Sequence, residues 1–162
     1  MVTPTTKPAY VSALEAVFGP PSEAGFGSAV FYAQSGASGD LEGTARAAYQ
    51  RFTGDLWERY GPDAWLGAWK QVYTRPPGAV PAIVTELRAL EDRGARQAAG
   101  VLVDDADDPQ AVQAAASAAF DEPAVTDLAV YTIGDGAALA GILITARRAP
   151  SGEQVTVVFL LD

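Results

Sequence analysis

The chain of 162 residues carries 20 acidic and 11 basic side chains, giving a formal net charge of -9 and a pI of about 4.4. It contains no histidine and no cysteine. Those counts exclude a thiolate nucleophile, a disulfide, a zinc site built on Cys or His, and an imidazole general base.

Residues 1–8 are polar and hold Pro4 and Pro8, so they read as a flexible tail without the basic and apolar regions of a secretory signal. Residues 9–162 are long enough for a single domain with its own core. Leu14, Val17 and Phe18 place a short helix over residues 9–18, which Gly19-Pro20-Pro21 stops. Residues 29–33 read as a short strand, and residues 35–39 as a turn-rich loop. In residues 40–60 the positions Leu41, Ala45, Tyr49, Phe52, Leu56 and Tyr60 step by three or four, widened by Trp57. That spacing predicts one long amphipathic helix. Pro62 opens a further helix that carries Trp65, Trp69, Val72 and Tyr73. After Pro76-Pro77-Gly78, the positions Val80, Ile83, Val84, Leu87 and Leu90 predict another helix, ending near Gly94.

From Gly100 the pattern changes. Val101-Leu102-Val103 reads as a strand running into Asp104, Asp105, Asp107 and Asp108. Asp107 with Gln110 then forms a capping box for a helix marked by Val112, Ala115, Ala116, Ala119 and Phe120. Strands follow at about residues 126–133, 139–147 and 154–161, the first two joined by Gly134-Asp135-Gly136 and the last two turning at Ser151-Gly152. The later strands are apolar at successive positions, so both of their faces are covered, by helices or by a second subunit. The predicted fold is α+β: several N-terminal helices packed on a mainly antiparallel C-terminal sheet with a β-α-β-β-β order. A homo-oligomer, most simply a symmetric dimer, is expected from the doubly apolar strands.

Three groups of residues are candidates for chemistry. Half of the acidic side chains fall between Glu91 and Asp135. Were the strand at 101–103 parallel to that at 126–133, Asp104, Asp105 and Asp135 would leave one sheet edge and offer oxygen ligands to a cation such as Mg²⁺. The competing reading makes Asp107 a helix cap, Asp104 and Asp105 solvated groups, and Asp135 a turn residue. Gly134-x-Gly136 does not complete a dinucleotide fingerprint, and no phosphate loop is present. Ser35-Gly36-Ala37-Ser38-Gly39 can receive an anion at a helix start, but capping by Ser38 or Asp40 is the cheaper explanation. Ser35, Ser38 and Thr44 have no imidazole to activate them, and Lys7 and Lys70 are the only lysines.

The third group is aromatic. Tyr49, Phe52, Trp57, Tyr60, Trp65, Trp69 and Tyr73 are close in sequence, with Arg51, Arg59, Lys70 and Arg75 among them. They suit a helix core or a recognition face. Trp57, Trp65, Trp69, Tyr73 and Arg59 are the candidate contacts for an unknown protein or small-molecule partner. A strongly acidic chain whose only adjacent basic pair is Arg147-Arg148 argues against nucleic acid and against an anionic membrane. No membrane span, no cofactor and a cytoplasmic location are expected. The sequence therefore favours a non-enzymatic binding or protein-interaction domain with an aromatic-lined patch or groove. The alternatives are a small carboxylate-dependent enzyme, using a divalent cation or none, and a structural subunit of a larger assembly.

Overall fold

A computed structural model describes residues 8–23, 27–33, 41–76, 78–134, 140–149 and 152–161. In chain order these form α1 (Ala9–Phe18), β1 (Gly27–Ala33), α2 (Leu41–Thr53), α3 (Asp55–Tyr60), α4 (Pro62–Gly67) and β2 (Lys70–Thr74). There follow α5 (Ile83–Arg88), α6 (Arg93–Val103), α7 (Pro109–Phe120), β3 (Val125–Gly134), β4 (Ala140–Arg148) and β5 (Gln154–Leu161). The strands make one sheet in the order β1-β5-β4-β3-β2, antiparallel at every pairing. The mixed fold with N-terminal helices and an antiparallel sheet is as the sequence predicts. The tail at residues 1–7, the loop at 35–39 and the turn residues Asp135, Gly136 and Ser151 lie outside the described residues.

Period-two alternation splits the sheet into two apolar faces. Val30, Leu128, Val130, Ile142, Ile144, Val155 and Val157 meet the buried stripes of α1, α5, α6 and α7. Ala29, Phe31, Ala129, Tyr131, Ile133, Leu143, Val158 and Leu160 meet α2, α3 and α4. Helices of the same chain thus cover both faces, and the doubly apolar strands need no second subunit. Among the described residues, no helix is long and apolar enough to cross a membrane.

Four local expectations are corrected. Val101-Leu102-Val103 is the last turn of α6, not a strand, so the β-α-β-β-β order loses its first member. Ala95, Ala98, Ala99, Leu102 and Val103 repeat at helical spacing and are all buried. That stripe outweighs the β preference of three residues. The helix expected over residues 40–60 breaks at Gly54, where φ is +55° and the Glu23 Cβ stands 3.1 Å from the place a side chain would occupy. The helix after Pro62 ends at Gly67, so Val72 and Tyr73 lie in β2, whose register shifts between Gln71 and Tyr73. The cap of α7 is Asp108 rather than Asp107, its Oδ1 accepting from the Ala111 N–H at 3.1 Å.

The edges of the sheet differ in how they end. On β1 the outward Val30 N–H donates to the Gly19 carbonyl at 3.0 Å, and the Ser28 hydroxyl donates to the Phe18 carbonyl at 2.6 Å. On β2 a polar network ties the edge to the helical layer. The Arg75 guanidinium grips Glu86 with Nε and Nη2, and its Nη1 donates to the Phe120 carbonyl at 2.7 Å. Asp121 lies 3.4 Å from Nη2 and accepts from the Ile83 N–H at 2.8 Å. The Arg75 and Glu86 side chains are only 8% and 11% exposed.

Two expectations follow for stability. A Cβ on Gly141 would stand 1.7 Å from the Phe159 carbonyl oxygen of the neighbouring strand. Gly141→Ala is expected to cost roughly 3–5 kcal/mol in denaturant unfolding, because two backbones must part to admit it. Arg75→Ala leaves Glu86 buried without its cation, and the same measurement should show a loss of about 3–5 kcal/mol.

Candidate functional site

The side of the sheet under α2 carries both the aromatic cluster and the described cavities. α2 forms because small and aromatic residues, Ala45, Ala48, Tyr49 and Phe52, line its inward stripe. Arg46, Ala47, Gln50 and Arg51 face outward.

Tyr49 is the hub of the aromatic cluster. Trp57 and Trp65 meet its ring edge-on, with centroids at 5.6 and 6.2 Å. Trp69 stacks on it at 5.7 Å and on Tyr131 at 4.5 Å. The Tyr49 hydroxyl accepts from the Gly134 N–H at 3.0 Å and lies 3.1 Å from the carbonyls of Trp65 and Gly134. The Trp65 indole donates to the Leu56 carbonyl at 3.0 Å. Arg46, paired with Glu42, lies over the Trp69 ring at 5.4 Å. Among the described residues the Trp69 Nε1 is buried without a hydrogen-bond partner.

The five residues expected to form a contact surface therefore separate. Trp65 is fully buried, Trp57 is 8% exposed, and Trp69 is half-buried in the stack. Tyr73 packs against the core on the opposite face. Arg59 is exposed on α3. The tryptophans are mostly core, as the competing sequence reading had it.

The cavities lie along the flank of the same helix. The first, about 190 Å³, is bounded by Phe31 and Ala33 of β1, Thr44, Ala48 and Arg51 of α2, and Thr156 of β5. The second, about 400 Å³, is bounded by Glu23, Gln50, Asp55, Trp57 and Glu58. Ala47 and Arg51 border both, so the two lie side by side in the surface along α2, together the α2 groove. Arg51 lies over the Phe31 ring at 5.5 Å. Among the described residues its guanidinium makes neither an ion pair nor a hydrogen bond. Arg46, Lys70, Arg75 and Arg88 all have carboxylate partners.

A buried polar ladder forms the end of the groove floor. The Gln154 amide accepts from Arg147 at 3.1 Å and donates to the Leu41 carbonyl at 2.9 Å and to the Thr145 hydroxyl at 2.8 Å. The Thr145 and Thr156 hydroxyls are 2.8 Å apart. These polar groups sit within otherwise apolar strands, and all but Arg147 are buried. No known protein family, characterised protein or solved structure matches the chain. The groove's chemistry rests on its own side chains.

The acidic candidates do not converge among the described residues, where no three carboxylates come close enough to hold a metal ion. Asp104 pairs with Arg88 at 2.5 Å, and those hydrogen bonds hold its carboxyl below the usual range. Asp105 is exposed, and Asp135 lies outside the described residues. Antiparallel pairing and the helical state of residues 101–103 also remove the sheet edge on which the three were expected to meet. Other members of the acidic run serve as caps. Asp92 accepts from the Ala95 N–H at 2.9 Å while pairing with Lys70 at 2.8 Å.

Sequence reasoning missed Phe31, Ala47, Gln154 and Thr156; it considered Thr44 only as a hydroxyl without an activating base, and Arg51 only as one of four cations near the aromatic group. One signal was available. Thr145 and Thr156 are hydroxyls flanked by apolar residues in the runs Ile142-Leu143-Ile144-Thr145-Ala146 and Val155-Thr156-Val157-Val158, where a polar group needs a partner.

Three tyrosines give the molecule an alkaline limit, and burial holds the Tyr10 phenol well above its usual range. Burial, then the hydrogen bond to Glu86, pushes the Tyr73 phenol up to about 12. Burial and the hydrogen bond to Glu153 do the same for Tyr32. A phenol held above its unfolded value of about 10 stabilises the fold fully below that pH. Its contribution is lost as the pH rises toward 12. The unfolding free energy of the wild type should fall across that window, and that of Y32F/Y73F should fall less steeply.

Proposed function

We propose that this chain is a non-enzymatic binding domain whose contact site is the groove along the outer flank of α2. The observation that carries the reading is the pair of adjacent cavities that share Ala47 and Arg51, where a guanidinium without a carboxylate partner among the described residues lies over an aromatic ring. Ligand sites are characteristically concave and apolar, with a few polar groups that set orientation. The groove has that makeup, with Phe31, Ala33, Ala48 and the edge of Trp57 as apolar surface. Arg51, Thr44 and Thr156 supply the polar groups.

This relocates the expected aromatic contact surface. Of the tryptophans, Trp57 alone borders a described cavity, while Trp65 and Trp69 brace α2 and α4 against the sheet. The carboxylate-dependent enzyme has less support, because Asp104 is engaged by Arg88 and no acidic cluster forms among the described residues. The partner, protein or small molecule, is one that fits this groove.

The test is a fragment titration followed by amide shifts in ¹H–¹⁵N spectra. Bound fragments should move resonances of residues 44–51. Ala47→Trp should intrude on both cavities and abolish those shifts while leaving the thermal midpoint within a few degrees, since Ala47 is exposed. If no fragment perturbs α2, the reading fails.

A further inference from the structure

We propose that the smaller cavity takes a monocarboxylic acid with an apolar body of about one ring or a short alkyl chain. This rests on the reading of the α2 groove as a binding site and adds the chemical class of its ligand.

The size comes first. An engineered apolar cavity of about 150 Å³ admits benzene. The cavity between β1, β5 and α2 has about 190 Å³, which leaves room for a ring and one polar group. Phe31, Ala33 and Ala48 supply the wall for the apolar body.

Charge and hydrogen-bond polarity then select the head group. Arg51 is a fixed cation at the rim, held over Phe31 and lacking a carboxylate among the described residues. A guanidinium presents a planar fork that matches a carboxylate. At the floor lies the buried ladder of Gln154, Thr145 and Thr156: Gln154 donates to the Thr145 hydroxyl at 2.8 Å, and the Thr145 and Thr156 hydroxyls share one proton at 2.8 Å. The Thr156 hydroxyl borders the cavity and is able to donate to a ligand there. Arg51 is the one charged side chain among the residues lining this cavity and can only donate, and the Thr44 and Thr156 hydroxyls can donate beside it, so the lining suits an anionic acceptor. An ionised carboxylate meets that need; an amine does not.

Glu23, Asp55 and Glu58 border the far side of Arg51 in the larger cavity. A second negative charge on the ligand would face them. The site should therefore prefer monocarboxylates to dicarboxylates of the same length.

Benzoate, hexanoate, adipate and the neutral analogues benzyl alcohol and hexanol should be titrated into the full-length protein, with amide shifts of residues 44–51 as the readout. Benzoate or hexanoate should bind, with adipate at least fivefold weaker. Arg51→Gln, an exposed change, should weaken the monocarboxylates at least tenfold and alter the alcohols less than twofold. Thr156→Val should weaken the carboxylates by about threefold to tenfold; if that variant is unstable, the Arg51→Gln comparison decides. If the alcohols bind and the carboxylates do not, or if Arg51→Gln leaves carboxylate affinity unchanged, the ligand class is wrong and the groove remains a binding site. If none of the probes moves these amides, the ligand class falls, and the broader fragment titration decides the fate of the groove.

Discussion

Burial of the central strands on both faces is the constraint from which the rest of the architecture follows. Positions 141–146 of β4 and 154–160 of β5 are all buried. A strand of this kind has no wet side, so a single helical layer cannot satisfy it. The chain answers with two helical layers, both built from helices that precede β3. α1, α5, α6 and α7 close one face, largely with alanine and aliphatic side chains. α2, α3 and α4 close the other with aromatic rings. The same constraint explains Gly141, where strand approaches strand so closely that no side chain fits.

The acidity of the chain also has a structural use. Asp92 and Asp108 satisfy the first N–H groups of α6 and α7, and Asp121 satisfies that of Ile83. The opposite end of α7 is met by cations: Arg75 donates to the Phe120 carbonyl and Arg148 to the Ala119 carbonyl at 2.7 Å. Carboxylates at helix starts and guanidinium groups at a helix end both complement the helix dipole. Of the ten acidic side chains from Glu91 to Asp135, Asp92, Asp104, Asp108 and Asp121 thus serve as helix caps or ion-pair partners.

Periodicity made much of the fold legible. α1, α7 and the three C-terminal strands stand close to where apolar spacing puts them. The errors came where local preference and tertiary context disagreed. Val101-Leu102-Val103 favours a strand by side-chain shape, but Leu102 and Val103 complete a buried helical stripe begun at Ala95. Trp69, Val72 and Tyr73 keep a helical spacing, yet pairing with β3 draws the last two into an edge strand. The groove was less legible for a topological reason. Its residues come from β1, α2 and β5, and β1 lies beside β5 although most of the chain separates them. Spacing along one chain does not reveal that adjacency. The aromatic cluster was visible because its members are close in sequence, and the same closeness made it mostly core.

The two sheet edges bear on what the molecule does at high concentration. An unpaired strand edge is a template on which another chain can add by backbone hydrogen bonds. Here the outward N–H of Val30 is already spent on Gly19, so β1 offers an interrupted template. β2 is five residues long, shifts register midway, begins with an exposed lysine and is followed by Pro76. Neither edge presents the long flat ladder that cross-β polymerisation requires. A sheet this apolar is thereby kept from growing sideways into a fibril, and the helical surfaces are left to meet other molecules.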